Sequence, residues 1–508
     1  MRIFTKGTGK RRTARTAGLT ALICGTLLCS SFFPAAAAET GINGDLTQDG
    51  ALSSADAEML AAHLTGEQPL TDSTAAHCAD LNADGILNAS DLTLLKRLIL
   101  TQTAPEPPSE TKDIPLSVLT PTLPSTGNVR VLLILVSFPD CAHPDSLSAA
   151  DVQTQCFGPE EPDSRMYPME SISAYYARAS YGRLHLTGDV CTYTAKDNLK
   201  RYVNKRDILA HEVFAGLDPE IDFSRYDADR DGITDAVILA LPGSAGKTDW
   251  RALTGKYTEK DSFDGCRIGA RTVGASDVTN QAMFNSVWTH ELGHAMGLPD
   301  YYKYFNTEKG YYGMYGDAGW ELMDDAFGDL SAFSKLMLGW YEESEVQVYT
   351  GGTQTFRIPS SQAAPGCVVI PRGTQTDWLS EFFVLEYQTN TGNNCRQFEN
   401  NHTYPLFSEG GLRALHAEAT VCEGVQGMPE LKWNNYGRYY DSSNEKQRVL
   451  RLANAEEGGG FFRSGDVLND SISGFHWYDG DGSQTVPVGC SVTVQSIADG
   501  ICTLQITE

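Results

Sequence analysis

The sequence has few basic residues: 39 Lys and Arg stand against 65 Asp and Glu among 508 residues, which gives a formal net charge of −26. A protein this acidic repels the phosphates of nucleic acids and the head groups of anionic membranes, so neither is an expected partner. Long apolar runs are missing after the first 38 residues, which argues against a membrane span. No two of the twelve cysteines have the spacing C-x-x-C, so a zinc site built from cysteines is not expected.

The first 38 residues are predicted to be a signal peptide that is removed during secretion. Basic residues from Lys6 to Arg15 precede a mostly apolar stretch, Ala17 to Phe33, and four alanines then offer a cleavage site. A membrane anchor is the alternative, but the stretch contains Gly, Thr and Ser and lacks a basic flank that would stop transfer. This segment holds six of the 39 basic residues, so its removal leaves 33 basic against 65 acidic side chains.

Ten cysteines follow the predicted signal peptide, and an even number in a secreted protein permits disulfides. Their spread-out spacing does not dictate the pairing. Cys141 with Cys156 and Cys490 with Cys502 are plausible local loops, whereas Cys78 stands alone in its part of the chain.

Residues 41–101 contain an internal repeat with a period of 35 residues. Each copy has a twelve-residue loop with oxygen-bearing side chains at positions 1, 3, 5, 9 and 12, glycine at the tight position 6, and a backbone carbonyl available at position 7. An amphipathic helix pattern follows each loop, at Ala57 to Leu64 and at Leu92 to Leu100. The predicted Ca²⁺ ligands are Asp45, Thr47, Asp49, Ala51, Ser53 and Asp56 in the first loop and Asp80, Asn82, Asp84, Ile86, Asn88 and Asp91 in the second.

This paired-loop pattern resembles a type I dockerin, the module that attaches secreted enzymes to cohesin domains of a scaffoldin. Each loop ends in Asp where an EF-hand has Glu, and no helix pattern precedes it. The resemblance implies two Ca²⁺ ions and a cohesin partner, selected by loop positions 10 and 11, here Ser54-Ala55 and Ala89-Ser90. Thr47 departs from the usual Asp or Asn, so the first loop is expected to bind Ca²⁺ more weakly. A calcium-stabilised spacer with no partner is the alternative interpretation.

The remaining chain divides by composition. The proline-containing stretch 102–115 is predicted to be a semi-extended linker, 116–345 a catalytic domain, and 346–508 a β-rich region of alternating strands. A third calcium-type loop lies within the catalytic part, although Ile238 at its twelfth position excludes a complete EF-hand. Bound Ca²⁺ is the preferred interpretation over a solvated acidic turn, with ligands at loop positions 1, 3, 5 and 9: Asp227, Asp229, Asp231 and Asp235.

The most informative segment is an eleven-residue pattern, H-E-x-x-H-x-x-G-x-x-D. On a helix, His290 and His294 are one turn apart, so both imidazoles project toward one metal ion. Glu291 lies beside the first histidine, where a carboxylate can take a proton from water. Gly297 lets the chain leave the helix, and Asp300 can return as a third ligand. Three protein ligands leave one coordination position open, as catalytic zinc requires. A buried helix with two satisfied histidines is the alternative.

With glycine at its eighth position, the motif resembles that of the metzincin zinc peptidases, and the nearest resemblance is to the immune-inhibitor-A-like (M6) family. The similarity extends through 175–182, 227–235, 319–324 and 331–340, and covers most of 128–508. It implies an α/β metzincin-like zinc peptidase domain with a β-rich C-terminal region, preceded by the small α-helical dockerin. It also implies that Met323 forms the methionine turn beneath the metal.

Together these features predict a secreted, extracellular zinc metalloendopeptidase with one catalytic Zn²⁺, acting on protein or peptide substrates while its dockerin holds it on a cellulosome-type scaffold. A catalytically inactive peptidase-like module on the same scaffold is one alternative. A polysaccharide-degrading hydrolase is another, but it does not explain the histidine pair. A tyrosine could stabilise the oxyanion, and the sequence selects none among Tyr301, Tyr302, Tyr311, Tyr312 and Tyr315.

Overall fold

The structure is a computed structural model. It describes residues 43–71, 73–82, 85–102, 119–248, 250–257, 261–302, 318–373, 378–398, 402–424, 429–434, 448–455, 460–480 and 482–508. Several features of the sequence lie outside these ranges: the predicted signal peptide, nearly all of the predicted linker, Asp84, and the tyrosines at 311, 312 and 315. No helix in the described part of the chain combines the length and apolarity needed to cross a bilayer.

The calcium-loop repeat forms three helices: α1 (Ser54–Leu64), α2 (Ser73–Ala79) and α3 (Ala89–Gln102). The helices α1 and α3 begin inside the repeated loops and extend the two predicted helices at their amino ends, whereas α2 was not predicted. Each repeat contributes apolar side chains to a small core that includes Leu60 and Leu95, both fully buried.

The next part of the chain alternates strands and helices. Its elements are β1 (Gly127–Ser137), α4 (Ala149–Phe157), α5 (Ile172–Ala179), β2 (Leu184–Thr194), α6 (Arg206–Leu217), β3 (Ile233–Thr234), β4 (Val237–Pro242), β5 (Leu253–Lys256), β6 (Ser262–Phe263), β7 (Cys266–Ile268), β8 (Ala270–Ser276), α7 (Gln281–Ala295), α8 (Leu322–Asp325) and α9 (Ala332–Met337). The main sheet has the strand order β2-β1-β4-β8-β5 and is parallel except at the edge strand β5. Its central strands β1 and β4 are mostly apolar on both faces, as a buried parallel sheet requires, whereas β8 carries the buried polar side chains Arg271 and Thr272.

Alternate side chains of β1 serve two separate cores. Leu133 and its neighbours on the same face pack with α5 and α7, whereas Leu132 and Ile134 pack with α6 on the other face. Because successive residues of a strand point to opposite faces, one continuous apolar strand can support helices on both sides. The helix with the two histidines therefore lies against a rigid sheet, directly after its strand β8.

From residue 346 onward, the strands of the described residues form two larger sheets and three two-stranded ones. The strands are β9 (Val346–Val348), β10 (Gln354–Pro359), β11 (Cys367–Pro371), β12 (Glu381–Gln388), β13 (Cys395–Phe398), β14 (His402–Pro405), β15 (Gly411–Glu418), β16 (Val421–Glu423), β17 (Pro429–Leu431), β18 (Leu450–Leu452), β19 (Val467–Leu468), β20 (His476–Tyr478), β21 (Gln484–Pro487), β22 (Ser491–Ala498) and β23 (Ile501–Thr507). In the sheet β18-β15-β12-β11-β9, strands β12 and β15 are buried on both faces. Phe382 faces the α7 core, and Phe383 faces a core shared with the sheet β10-β23-β22-β19.

The two local disulfides suggested by spacing are wrong, because all four cysteines are unbonded. Cys141 packs with the core on one face of the main sheet, whereas Cys156 is buried in the core on the other face. Cys502 pairs with Ile497 across the β22–β23 hairpin, which leaves Cys490 beyond the opposite end of that hairpin. Sequence proximity therefore gave no spatial proximity in either case.

Candidate metal centre

The helix α7 carries both histidines and is buried on nearly all sides. The sequence predicts this helix from Ser276 to Leu298, but α7 begins five residues later, because residues up to Ser276 complete strand β8 and Asn280 caps the helix through its side chain. The helix ends at Ala295, and two residues further on Gly297 has a φ of +91°, a left-handed conformation that glycine adopts at little cost. Backbone hydrogen bonds from Gly297 N to His294 O and from Leu298 N to Gly293 O close this end, as in a Schellman motif.

This turn brings Asp300 back onto the helix. Asp300 Oδ1 lies 3.0 Å from His290 Nε2 and 3.3 Å from His294 Nε2. The three potential ligand atoms lie within 4.8 Å of one another. The structure thus brings together the three residues predicted to hold zinc.

Both imidazoles are oriented by backbone carbonyls. His290 Nδ1 lies 2.9 Å from Leu322 O, and His294 Nδ1 lies 2.8 Å from Leu298 O. Because a carbonyl oxygen can only accept a hydrogen bond, each Nδ1 must carry the proton. A neutral imidazole then has its lone pair on Nε2, the atom that faces Asp300, and this second hydrogen bond is the usual way in which proteins orient a metal-binding histidine.

Burial and neighbouring charges have opposing effects on the pKa values of the three potential ligands. Burial alone would lower the pKa of both imidazoles, but the Asp300 carboxylate outweighs burial, raising the pKa of His294 to about 9 and that of His290 as well. Despite burial, the two histidines hold the pKa of Asp300 well below its usual range. Protons on the imidazoles therefore compete with a metal ion for the same nitrogens, and metal binding would release them.

Glu291 is buried beside the histidines, and a threonine from the edge strand β5 holds it. The Thr254 hydroxyl lies 2.8 Å from Glu291 Oε2 and 2.8 Å from the Thr272 hydroxyl on β8. This chain of hydroxyl groups fixes one carboxylate oxygen, and among the described residues no hydrogen bond reaches the other. Neither threonine was predicted, since both lie on strands far from the motif in sequence.

Met323 lies against the helix between the two histidines. A methyl group added at Gly293 would lie 2.5 Å from Met323 Sδ, so the thioether occupies the space that a larger residue would need. The adjacent Leu322 carbonyl orients His290, and Met323 O accepts a hydrogen bond from Tyr301 N, next to Asp300. The short helix α8 therefore contacts both arms of the site, at the position where the resemblance expected a methionine turn.

Further buried groups support the site from behind. Glu321 accepts hydrogen bonds from Met323 N and the Ser334 hydroxyl, and burial raises its pKa to about 7. Tyr176 donates a hydrogen bond to Thr289 O at 2.6 Å, one residue before His290. Tyr176 and Glu321 lie in segments that carried the family resemblance, but the sequence did not indicate what either side chain does.

Two of the five tyrosines considered as oxyanion stabilisers are described. The Tyr301 hydroxyl is buried 3.0 Å from the Ser334 hydroxyl, which places it in the core behind the site. The Tyr302 ring stacks on His290 with its centroid 6.2 Å away. Of these two, only Tyr302 lies beside the metal-facing histidines.

A second carboxylate group forms in the third calcium-type loop. Ligand atoms of Asp227, Asp229 and Asp235 lie within 4.8 Å of one another, whereas Asp231 is not part of this group and accepts a hydrogen bond from Ile233 N. Asp235 is fully buried, and its Oδ1 has no hydrogen-bond partner within the described part of the chain. Burial and the neighbouring carboxylates raise the pKa of Asp235 to about 8 and that of Asp229 to about 6. An oxygen-only, anionic and partly unsatisfied group suits Ca²⁺.

The two dockerin loops have the same hydrogen-bond pattern, offset by 35 residues. Asp45 Oδ2 accepts from Gly50 N at 2.8 Å, and Asp80 Oδ2 accepts from Gly85 N at 2.8 Å. The last residue of each loop, Asp56 or Asp91, accepts backbone N–H groups from the start of the loop. Among the described residues, however, neither loop gathers three charged ligands as closely as the two centres above do. Calcium binding by these loops stays a prediction.

Comparison with known protein families gives two matches. The model for the dockerin type I domain matches residues 43–100, and the model for Peptidase M66 matches residues 251–326. A search of curated proteins finds no match. The two matches confirm the recognition of a dockerin ahead of a peptidase, and the peptidase family that they name is M66. The segment matching the peptidase family contains Thr254, α7 with its histidines, Asp300 and Met323.

Proposed function

We propose that this chain is a secreted zinc endopeptidase that its dockerin holds on an extracellular, cellulosome-type scaffold. The observation that carries the proposal is the convergence of His290 Nε2, His294 Nε2 and Asp300 Oδ1, with both Nδ1 atoms fixed by backbone carbonyls. Two nitrogens and one oxygen are the donor set of a catalytic zinc site with an open position. The peptidase-family match over the same residues supports this interpretation.

The residues around the site have separate tasks in this proposal. A zinc ion held by the three residues would polarise the scissile carbonyl and make a water molecule more acidic. Glu291 accepts a proton from the attacking water and delivers it to the leaving amine. Thr254 holds Glu291 Oε2, so that the other carboxylate oxygen is directed to the proton. The Leu322 and Leu298 carbonyls keep both imidazoles in the tautomer that binds metal.

The anchoring part of the proposal rests on the dockerin match to 43–100 and on the repeated loops. Two Ca²⁺ ions in these loops and a third at Asp227, Asp229 and Asp235 are part of it. The unpartnered Asp235 Oδ1 supports the third ion, because a buried carboxylate oxygen without a partner is costly.

Glu291→Gln tests the chemistry most simply, since it keeps all three metal ligands and changes only the proton acceptor. We expect casein proteolysis to fall by about 10²–10⁴-fold while the zinc content by plasma mass spectrometry stays at that of the wild type. A zinc-loaded wild type without proteolysis would favour the inactive binding module, and proteolysis unchanged in Glu291→Gln would contradict the assigned role.

A further inference from the structure

The two dockerin repeats carry equivalent helix faces in different surroundings. We call Ala55, Glu58 and Ala62 on α1 the first face, and Ser90, Thr93 and Arg97 on α3 the second face. The 35-residue period relates the two sets position by position. Within each helix, spacings of three and four residues put the three side chains on one side.

The second face is covered by the part of the chain that follows the linker, residues 116–508, which we call the peptidase region. The Thr93 hydroxyl accepts a hydrogen bond from Trp378 N at 3.2 Å and is 1% exposed. Ser90 is 3% exposed, and its Cβ lies 3.9 Å from the position of a methyl group added at Gly339. Ala89 beside it packs against the core that contains α7 and α9. The polar side chains of the second face are therefore buried in a contact between the dockerin and the rest of the same chain.

The first face remains open. Ala55 and Glu58 are exposed, and Ala62 is partly exposed. The equivalent residues of the second repeat are all buried. Because the repeats fold alike down to their loop hydrogen bonds, the difference comes from what each face contacts and not from the helices themselves.

We propose that the two faces have different occupants: the second face holds the chain's own peptidase domain, and the first face alone receives the cohesin domain of the scaffold. The proposal rests on the proposed function, since a cohesin is the partner only if the dockerin is an anchor. The second face shows that this side of the repeat fits a protein surface, and the first face is its accessible copy. The chain would therefore bind one cohesin in one orientation.

The second face also extends, through Arg97, to the residues behind the centre formed by His290, His294 and Asp300. The Arg97 guanidinium interacts electrostatically with Tyr301, whose backbone lies between Asp300 and the Met323 carbonyl. The Nε and Nη2 atoms of Arg97 are buried and have no hydrogen-bond partner among the described residues. Buried unpaired donors weaken a contact, so the second face is expected to open at times and to be protected rather than sealed.

Cysteine substitution at equivalent positions tests the intramolecular contact in the full chain. Glu58→Cys and Thr93→Cys would each be treated with a water-soluble maleimide, and the labelled peptides quantified by mass spectrometry. We expect labelling at position 93 to be slower by about tenfold or more, because it requires the contact to open. Equal rates at 58 and 93 would overturn the assignment of the second face.

Charge reversal tests the cohesin face. Glu58→Arg lies on the first face, and Glu67→Arg makes the same change at an exposed dockerin residue outside it. With a recombinant type I cohesin as probe, we expect Glu58→Arg to weaken binding by about 30-fold or more and Glu67→Arg to change it by less than about threefold. Equal effects of the two substitutions would overturn the first-face assignment. Absence of cohesin binding by the wild type, with position 93 still protected, would contradict the scaffold function but leave the intramolecular contact standing.

Discussion

The two candidate metal centres each gather three ligand atoms but differ in their charge balance. Each brings three ligand atoms within 4.8 Å, but one combines two imidazoles with a carboxylate and the other combines three carboxylates. Protons on His290 and His294 can neutralise the first centre when no metal is bound. The second centre contains no imidazole that could take up a proton, and in the described structure one oxygen of Asp235 is buried and unpaired. On the proposed function, removing zinc should therefore abolish catalysis at the first centre, whereas removing calcium from the second centre should destabilise the fold.

The largest effect is expected when a ligand of the first centre is removed. His294→Ala should lower proteolysis by about 10⁴-fold or more, because binding of the ion and the polarisation that it supplies are lost together. The free energy of unfolding measured in EDTA should change by no more than about 2 kcal/mol. The comparison fails if this variant is as unstable as a core mutant.

His211→Ala is the matched control for that variant. His211 precedes a glutamate on a helix as His290 does, but it is exposed and pairs with Asp261 on the surface. Its removal should leave both proteolysis and zinc content unchanged. A loss of activity would mean that histidine replacement acts through general effects.

The second centre should make stability depend on pH when calcium is absent. The pKa of Asp235 is raised to about 8 in the folded chain, against about 4 in the unfolded chain. The folded state therefore holds the extra proton between these values, so stability falls as pH rises from 5 to 8. We expect a loss of about 3 kcal/mol in EDTA, measured by urea unfolding, and a clearly smaller loss in Asp235→Asn. Stability that rises over this range in EDTA would contradict the account.

Added calcium should reverse that loss at constant pH. At a concentration 100 times its dissociation constant, the ion would stabilise the fold by about 2.7 kcal/mol. Tryptophan fluorescence separates this effect from the dockerin, because all seven tryptophans lie at or after position 250. An equal response of wild type and Asp235→Asn would place the calcium effect elsewhere.

The smallest effect concerns the orientation of Glu291. Thr254→Val removes the hydroxyl that holds Oε2 and should lower kcat by about tenfold, the equivalent of one hydrogen bond. Thr254→Ser keeps the hydroxyl and should retain most of the activity, with zinc content unchanged in both variants. If serine and valine lower kcat equally, Thr254 acts through packing and not through the hydrogen bond.

The sequence predicted the parts of the site that depend on spacing within one helix and its exit. His290, His294 and Asp300 follow from a pattern and a turn that glycine permits, and the structure brings these three together. The sequence could not predict the groups that other helices and strands contribute to the site. The Leu322 and Leu298 carbonyls are backbone atoms with no residue preference, and Thr254 becomes a neighbour of Glu291 only through the pairing of β5 with β8.

The same limit applies to the fold. The sequence predicts strands at Leu184 to Tyr193 and at Glu381 to Tyr387, and β2 and β12 match these bounds to within one residue. The start of α7 was predicted too early, at Ser276, because the residues up to Ser276 belong to strand β8 and the helix is capped only at Asn280. The burial of Ser90 and Thr93 was not predicted, because both side chains are polar. A contact between two distant parts of one chain leaves no local sequence pattern that could indicate it.

Anomalous diffraction at the zinc absorption edge tests the central claim most directly. Crystals of the wild type should show one strong peak bonded to His290 Nε2, His294 Nε2 and an Asp300 carboxylate oxygen, at about 2.0–2.2 Å from each atom. No peak at this position in zinc-supplemented protein, or a peak bound by other residues, would contradict the account.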